Sequence, residues 1–497
     1  MKNRHTAVYR LILTAFLALG AHASFAAPPA ERFFSGGDYW ITHFNVSRHT
    51  DGIPIPPVTP EDKALQRAHT GYYLGWRGKM RFSVPDSTGA GTITLLEDML
   101  EHRHMVDQTS CTDCGLVIGA AVLTFNYALG ANNRITITMT DPIRGDTSYN
   151  YGVLSPDYNF IAIVNTGDST GGGRDIGRDL SMGVKVGTAQ TMTGLYAGNG
   201  MGVDLSYPVT VADEVTVADM LHFSQNPIWV NFDTTITQYE MEGAFELRDP
   251  ALTTYVETHD THNHFTGPAG LPTTLTTDAG GIYESFVDGG FWLALAPNGN
   301  VGIVASGIND IDPRFSDDTH VRHHESHGLF LRQKAAGTHN VRTVAGDYMV
   351  VMRDASFRDG VHDTAVFYGD FSLISSGAAS WSLTKVSDMG VISSEVGTGT
   401  YTVETQCFWA TGPAAGDRLP YGDLVCAGGQ KLDVIVLSDA TKVIAKFFIG
   451  DGANVLTLFN PGTFDPTDPR VGLDHTFGHA VRLGRHARGW KRNPGRP

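Results

Sequence analysis

The stretch "LSPDYNFIAIV" at 154–164 sets two apolar runs on either side of Pro-Asp-Tyr-Asn. The chain says nearly the same in "LAPNGNVGIVA" at 295–305 and "LSDATKVIAKF" at 437–447. Pro297 presets φ for a turn and Gly299 accepts a positive one, so the string reads as a hairpin with a strand on each side. The copies stand 141 and then 142 residues apart. That spacing is far above the roughly 20–50 residues of solenoid repeats and points to a domain-sized unit used three times.

A second landmark keeps the same order. A Thr/Ala-Gly-x-Tyr stretch precedes each echo, in "TGYYLGWRGKMRF" from 70, "TGLYAGNGMGVDL" from 193 and "AGDYMVVMRDASF" from 345. Around these landmarks "GTITLLED" (91–98), "RITITMTD" (134–141), "ASWSLTKVSD" (379–388) and "GTYTVETQCF" (399–408) alternate apolar with polar residues, the period of half-buried strands. Fifty-seven glycines and a charged fraction of only 18% in 497 residues argue for many turns over long helices. The expectation is an all-β protein of three related β-rich units in tandem, sandwich-like or barrel-like, at 70–190, 191–343 and 344–462. A β-propeller is the alternative, since strand-turn-strand repeats also build blades.

The flanks read differently. Lys2, Arg4 and Arg10, the apolar run "LILTAFLALGA" (11–21) and small residues up to Ala26 have the tripartite form of a signal peptide over residues 1–26, with an apolar run too short to span a bilayer. An exported protein follows, periplasmic, at the cell surface or extracellular, with no transmembrane segment in the mature chain. Residues 27–69 form an N-terminal extension in which "GGDYWITHF" (36–44) resembles "AGDYMVVMR" (345–353). It fits a strand that pairs with the last unit and covers its edge. Residues 463–497 read as a basic flexible tail, with seven Lys or Arg from Arg470 onward against the single acid Asp474.

Loss of the signal's three basic residues from the total of 36 leaves 33 against 52 acids, a net charge of −19. That balance repels nucleic acid and leaves a protein, a glycan or another small molecule as the partner. Cys111, Cys114, Cys407 and Cys426 are an even set suited to an oxidising compartment. C-x2-C and C-x18-C suggest two local disulfides, with three pairings formally open.

Chemistry-bearing residues gather in the second unit. His259, His262 and His264 in "HDTHNH", and His320, His323, His324 and His327 in "HVRHHESH", are candidate ligands for zinc, copper or nickel in two histidine-rich loops. Asp310, Asp312, Asp317 and Asp318 offer oxygen ligands to calcium, without EF-hand spacing. No H-E-x-x-H occurs; "GDSTG" at 167–171 has the spacing G-x-S-x-G but not the parallel βαβ context of a nucleophile elbow, and "GDSTGG" around Ser169 lacks the two glycines that follow the serine directly in trypsin-like proteases. Trp40, Trp76, Trp229, Trp292 and Trp381 suit a core or a sugar-stacking face. The leading expectation is a non-catalytic β-repeat protein of the envelope or extracellular space, structural or binding a ligand or partner. The alternative is a secreted metal-dependent hydrolase that uses the histidine-rich loops.

Overall fold

A computed structural model describes residues 34–44, 48–49, 71–96, 99–105, 115–119, 124–140, 147–168, 175–176, 179–208, 220–232, 236–239, 244–248, 255–258, 275–285, 291–311, 320–358, 361–387, 392–408, 430–439, 442–459 and 474–484. Among them the chain is nearly all strand, in three tandem antiparallel β-barrel units. The propeller alternative does not occur.

In the first unit eight strands form a ring: Gly37–Phe44, Gly71–Phe82, Ala90–Leu95, Thr124–Leu129, Arg134–Thr140, Thr147–Leu154, Phe160–Asp168 and Leu180–Lys185. Gly37–Phe44 pairs with Gly71–Phe82 on one side and with Leu180–Lys185 on the other, which closes the barrel. The third unit repeats the plan, from Gly346–Arg358 through Val361–Leu373, Ala378–Ser387, Ile392–Phe408, Gln430–Asp439, Lys442–Ile449 and Val455–Phe459 to Asp474–Arg482. In the second unit Leu195–Pro208 again pairs with the last strand, His320–Arg332. Among the described residues its sheet, however, shows no pairing between Tyr255–Thr258 and Ile282–Ser285.

The hairpin has one job in all three units: it leads into the strand that pairs with the last one. At Ser155–Phe160 the amide of Ser155 donates to Phe160 O, and that of Tyr158 donates to Ser155 O. The same two bonds recur at Ala296–Val301 and at Gly450–Val455. Each turn ends on a left-handed residue, with φ of 57° at Tyr158, 68° at Gly299 and 54° at Ala453. Each is a four-residue loop that reverses the chain through that left-handed residue. In every unit the last strand then donates an amide to the next carbonyl, Lys185 to Asn159, Arg332 to Asn300 and Arg482 to Asn454.

The Gly-x-Tyr landmark is the other half of the device. Tyr39 Oη lies 2.6 Å from Tyr158 O, Tyr196 Oη 2.6 Å from Gly299 O and Tyr348 Oη 3.2 Å from Ala453 O. A buried hydroxyl needs such a partner, and here it fastens the first strand of each unit to the left-handed residue of its hairpin.

Four readings from the sequence are corrected by these pairings. The strand at 37–44 does not cover the last unit; it is the first strand of the first barrel, so the counterpart of Tyr196 and Tyr348 is Tyr39 and not Tyr72. The third echo is not 437–447, which spans two strands paired across a register shift at Leu437 and Ser438. Its true counterpart is "IGDGANVLTLF" at 449–459, whose polar loop hid the match. The span 463–497 is not all tail, because Asp474–Arg482 closes the third barrel against Gly346–Arg358. Residues 485–497 lie outside the described residues.

Alternation sorts side chains into two cores. Tyr39, Ile41, Ile161 and Ile163 point into the first barrel. Their neighbours Phe44, Phe160, Ala162 and Val164 point outward into a cluster shared with Met201, Ile303 and Leu329 of the second unit and Met349, Val351 and Phe477 of the third. "FIAIV" is therefore covered on both faces, which explains its unbroken apolar run. Polar ties cross the same seam. Trp40 Nε1 donates to Gly280 O at 2.9 Å, Asn199 Nδ2 donates to Leu458 O at 2.7 Å, and Tyr151 stacks on Tyr368 at 4.7 Å.

Candidate functional site

The interior of an eight-stranded barrel is just wide enough to be filled by side chains or to hold one small ligand. One end of the first barrel is filled. Phe34 lies among the rings of Tyr39, Phe82, Tyr127 and Tyr158, with centroids 5.6 to 6.4 Å away. The third barrel is stoppered at one end and hollow toward the other.

The stopper is built from local sequence. Asn340 caps the one-turn helix Val341–Val344 by accepting from the amides of Arg342 and Thr343. Tyr401 Oη sits 2.9 Å from Val341 O, and Tyr348 Oη donates to Val344 O at 2.7 Å. Arg482 Nη2 donates to Thr343 O, Ala345 O and the Tyr348 hydroxyl. Burial pushes the Tyr348 hydroxyl up to about 12. Asp433 fixes the approach to the helix by accepting from the amides of Gly337 and His339 and from the Thr405 hydroxyl. These bonds hold its carboxyl below the usual range against the opposing effect of burial.

Beyond the stopper lies a cavity of about 430 Å³. Its walls are apolar and aromatic, with Met352, Phe367, Phe371, Trp381, Leu437 and Phe447 facing inward from five strands. Small residues make the room. A β-carbon on Gly397 would stand 2.3 Å from the Trp381 ring, and one on Gly478 would stand 2.2 Å from Met352 Cγ. The polar groups gather toward one end: Asp354, Lys385, Glu395 and Thr476. Thr476 Oγ1 donates to Asp354 Oδ1 at 2.8 Å, and the Lys385 ammonium lies 5.2 Å from the centre of the Phe367 ring. An apolar cup with a few polar groups suits a small, largely apolar molecule with a polar head.

The residues singled out in the sequence do not build this site. His320, His323, His324 and His327 are not on a loop; they belong to the strand His320–Arg332, at positions of alternating parity, paired on both sides. His327 is buried, its ring 5.3 Å from that of Phe44. The side chains of the other three, and His259, His262 and His264 entirely, lie outside the described residues. Among the described residues no group of three or more His, Cys, Asp or Glu side chains is placed to hold a metal ion. Cys111, Cys114, Cys426, Asp312, Asp317, Asp318 and Ser169 also lie outside them, as do the side chains of Cys407, Asp310, Trp76 and Trp229. Trp40 and Trp292 pack edge to face at 6.2 Å in the seam between units, and Trp381 lines the cavity. The alternation of "ASWSLTKV" carried a signal for Trp381 and Lys385 on one face. Nothing local linked them to Met352 or Thr476.

Fold and site together define a class, a tandem of small antiparallel barrels with a hollow third member. No protein-family model and no curated protein matches the chain. Among solved structures it is similar to the isotype 1 transferrin binding protein B from serogroup B Neisseria meningitidis, at 10% identity and a TM-score of 0.20, over 92% of this chain and 77% of that one. Among the described residues no helix is long and apolar enough to cross a membrane.

Proposed function

We propose that this is an exported binding protein of the cell envelope or extracellular space, which holds a small, largely apolar ligand in the lumen of its third barrel. The cavity of about 430 Å³ carries this reading, since it falls within the range of about 300–1,000 Å³ in which ligand sites occur. The tripartite pattern of residues 1–26 supports export. Disulfides Cys111–Cys114 and Cys407–Cys426 belong to the same reading. The pairing of Cys407 with Lys431 brings the ends of the 409–429 connection side by side, which favours the second bridge.

The test is titration of the mature chain with N-phenyl-1-naphthylamine, a neutral apolar fluorophore, alongside an Ala445→Phe variant that places a ring in the lumen. Saturable 1:1 binding, weakened at least tenfold in the variant at unchanged thermal stability, is the expected result. Binding that ignores the variant, or no saturable binding, overturns the assignment.

A further inference from the structure

A nucleophile, a base and an acid meet inside the first barrel, away from the third-barrel cavity. His43 on the first strand stands directly opposite Ser181 on the last. Ser181 Oγ lies 2.7 Å from His43 Nδ1, and Asp179 Oδ2 lies 3.3 Å from His43 Nε2. Asn165 Nδ2 donates to the same carboxylate oxygen at 3.1 Å, and the carboxylate is held at 4% exposure. A carboxylate at Nε2 keeps the ring proton on that nitrogen. The Nδ1 lone pair then faces the serine hydroxyl, whose proton it can take. The three side chains sit four strand positions from Tyr39, toward the end of the barrel opposite the rings around Phe34.

The repeat supplies its own control. Counting four residues on from Tyr196 and Tyr348, the equivalent cross-strand pairs are Gly200 with Gly328 and Met352 with Gly478. Two of three copies thus fold with no polar side chain at this cross-strand pair. The fold does not require the His43–Ser181 pair, and a buried polar set kept without a folding need is a candidate for chemistry.

We propose that Ser181 is the nucleophile of an acyl-transfer site in the first barrel, with His43 as its general base and Asp179 as the positioning residue. The substrate class is a small acyl ester. As Ser181 Oγ bonds to the acyl carbon, its proton passes to His43 Nδ1; the ester C–O bond breaks and the alcohol leaves with that proton. Water then gives a proton to His43 and its oxygen to the acyl carbon, and Ser181 recovers its hydrogen as the acid departs. Ester and water become acid and alcohol, with the enzyme unchanged. This site is independent of the ligand reading of the third barrel.

The experiment treats the full mature chain with an alkyl fluorophosphonate, locates the adduct by peptide mass spectrometry, and follows p-nitrophenyl acetate hydrolysis in parallel. The proposal expects one phosphonyl group on Ser181 and none there in Ser181→Ala. In His43→Gln both reactions slow at least a hundredfold, the low end of the roughly 10²–10⁴ that a general base contributes. Asp179→Asn slows them as well and Asp179→Glu restores part of the rate, which loss of a purely structural contact would not do. Circular dichroism and thermal unfolding establish that each variant is folded. Absence of an adduct on Ser181, an adduct only elsewhere, or labelling indifferent to His43→Gln overturns it.

Discussion

Tyr39 places its hydroxyl 2.6 Å from the carbonyl oxygen of Tyr158, a residue 119 positions further along the chain whose φ of 57° turns that carbonyl toward the first strand. The second unit makes the bond to a glycine and the third to an alanine. Removing the hydroxyl leaves a buried carbonyl without its donor. Tyr196→Phe is expected to lower stability by about 1–3 kcal/mol, measured by urea unfolding. Burial pushes the Tyr196 hydroxyl up to about 12. The stability it lends is therefore complete below pH 10 and fades as pH rises toward 12, so the gap between wild type and Tyr196→Phe narrows over that window.

Gly299→Ala tests the hairpin itself. A φ of 68° there is costly for an L-residue, and the added carbon would stand 3.1 Å from Gln190 Oε1. A loss of about 1–2 kcal/mol is expected in the same assay.

His479 is wholly buried in the seam between units, with Nε2 2.8 Å from Met182 Sδ and its ring against Phe160 and Phe477. Burial lowers its pKa to about 3. The unfolded chain takes up a proton near pH 6.5 that the folded one refuses until about 3. Stability present above pH 6.5 is lost as pH falls through this window, by an amount on the order of a few kcal/mol. His479→Leu should flatten that part of the pH–stability curve; an unchanged slope would show that another group titrates there.

Phe44 lies where the three units meet, with the His327 ring on one side and the Arg353 guanidinium 4.8 Å from its ring centre. Phe44→Ala should cost about 3–5 kcal/mol. Because the cavity it opens is shared, calorimetry should show one unfolding transition dividing into two or more.

In the lumen wall, the β-carbon of Gly397→Ala would fall within 2.7 Å of three Trp381 ring atoms. The indole must move into the cavity, so the variant should shift the Trp381 emission and weaken N-phenyl-1-naphthylamine binding. Unaltered emission and affinity would place the indole elsewhere.

Local pattern made much of the architecture legible. Alternation in "RITITMTD" and "ASWSLTKVSD" marked strands, and the turn chemistry of Pro297 and Gly299 marked a hairpin that the structure contains. The third hairpin escaped because Asp451, Gly452, Ala453 and Asn454 close the loop with different residues: the two backbone bonds and the left-handed φ at Ala453 were kept, a second positive φ was added at Gly452, and the side chains changed. Ring closure escaped because partners such as Gly37–Phe44 and Leu180–Lys185 are far apart in the chain, and no short window records who pairs with whom. The sites were hidden for the same reason. Lys385 and Thr476 meet across a lumen, and His43 and Ser181 meet across 138 residues. The histidine runs, conspicuous as strings, partly resolve into a paired strand.

In both closed barrels the strand that is made first bonds to the strand that is made last. A ribosome or an export channel therefore delivers seven strands of each ring before the eighth can seal it, and until then the leading strand has one bare edge waiting for its partner. Folding of each ring must be slow and late, since almost all of its loop-closing entropy is spent before the final ladder forms. A chain that stops before Asp474 would strand the third ring in that unsealed state, with its lumen open along one side.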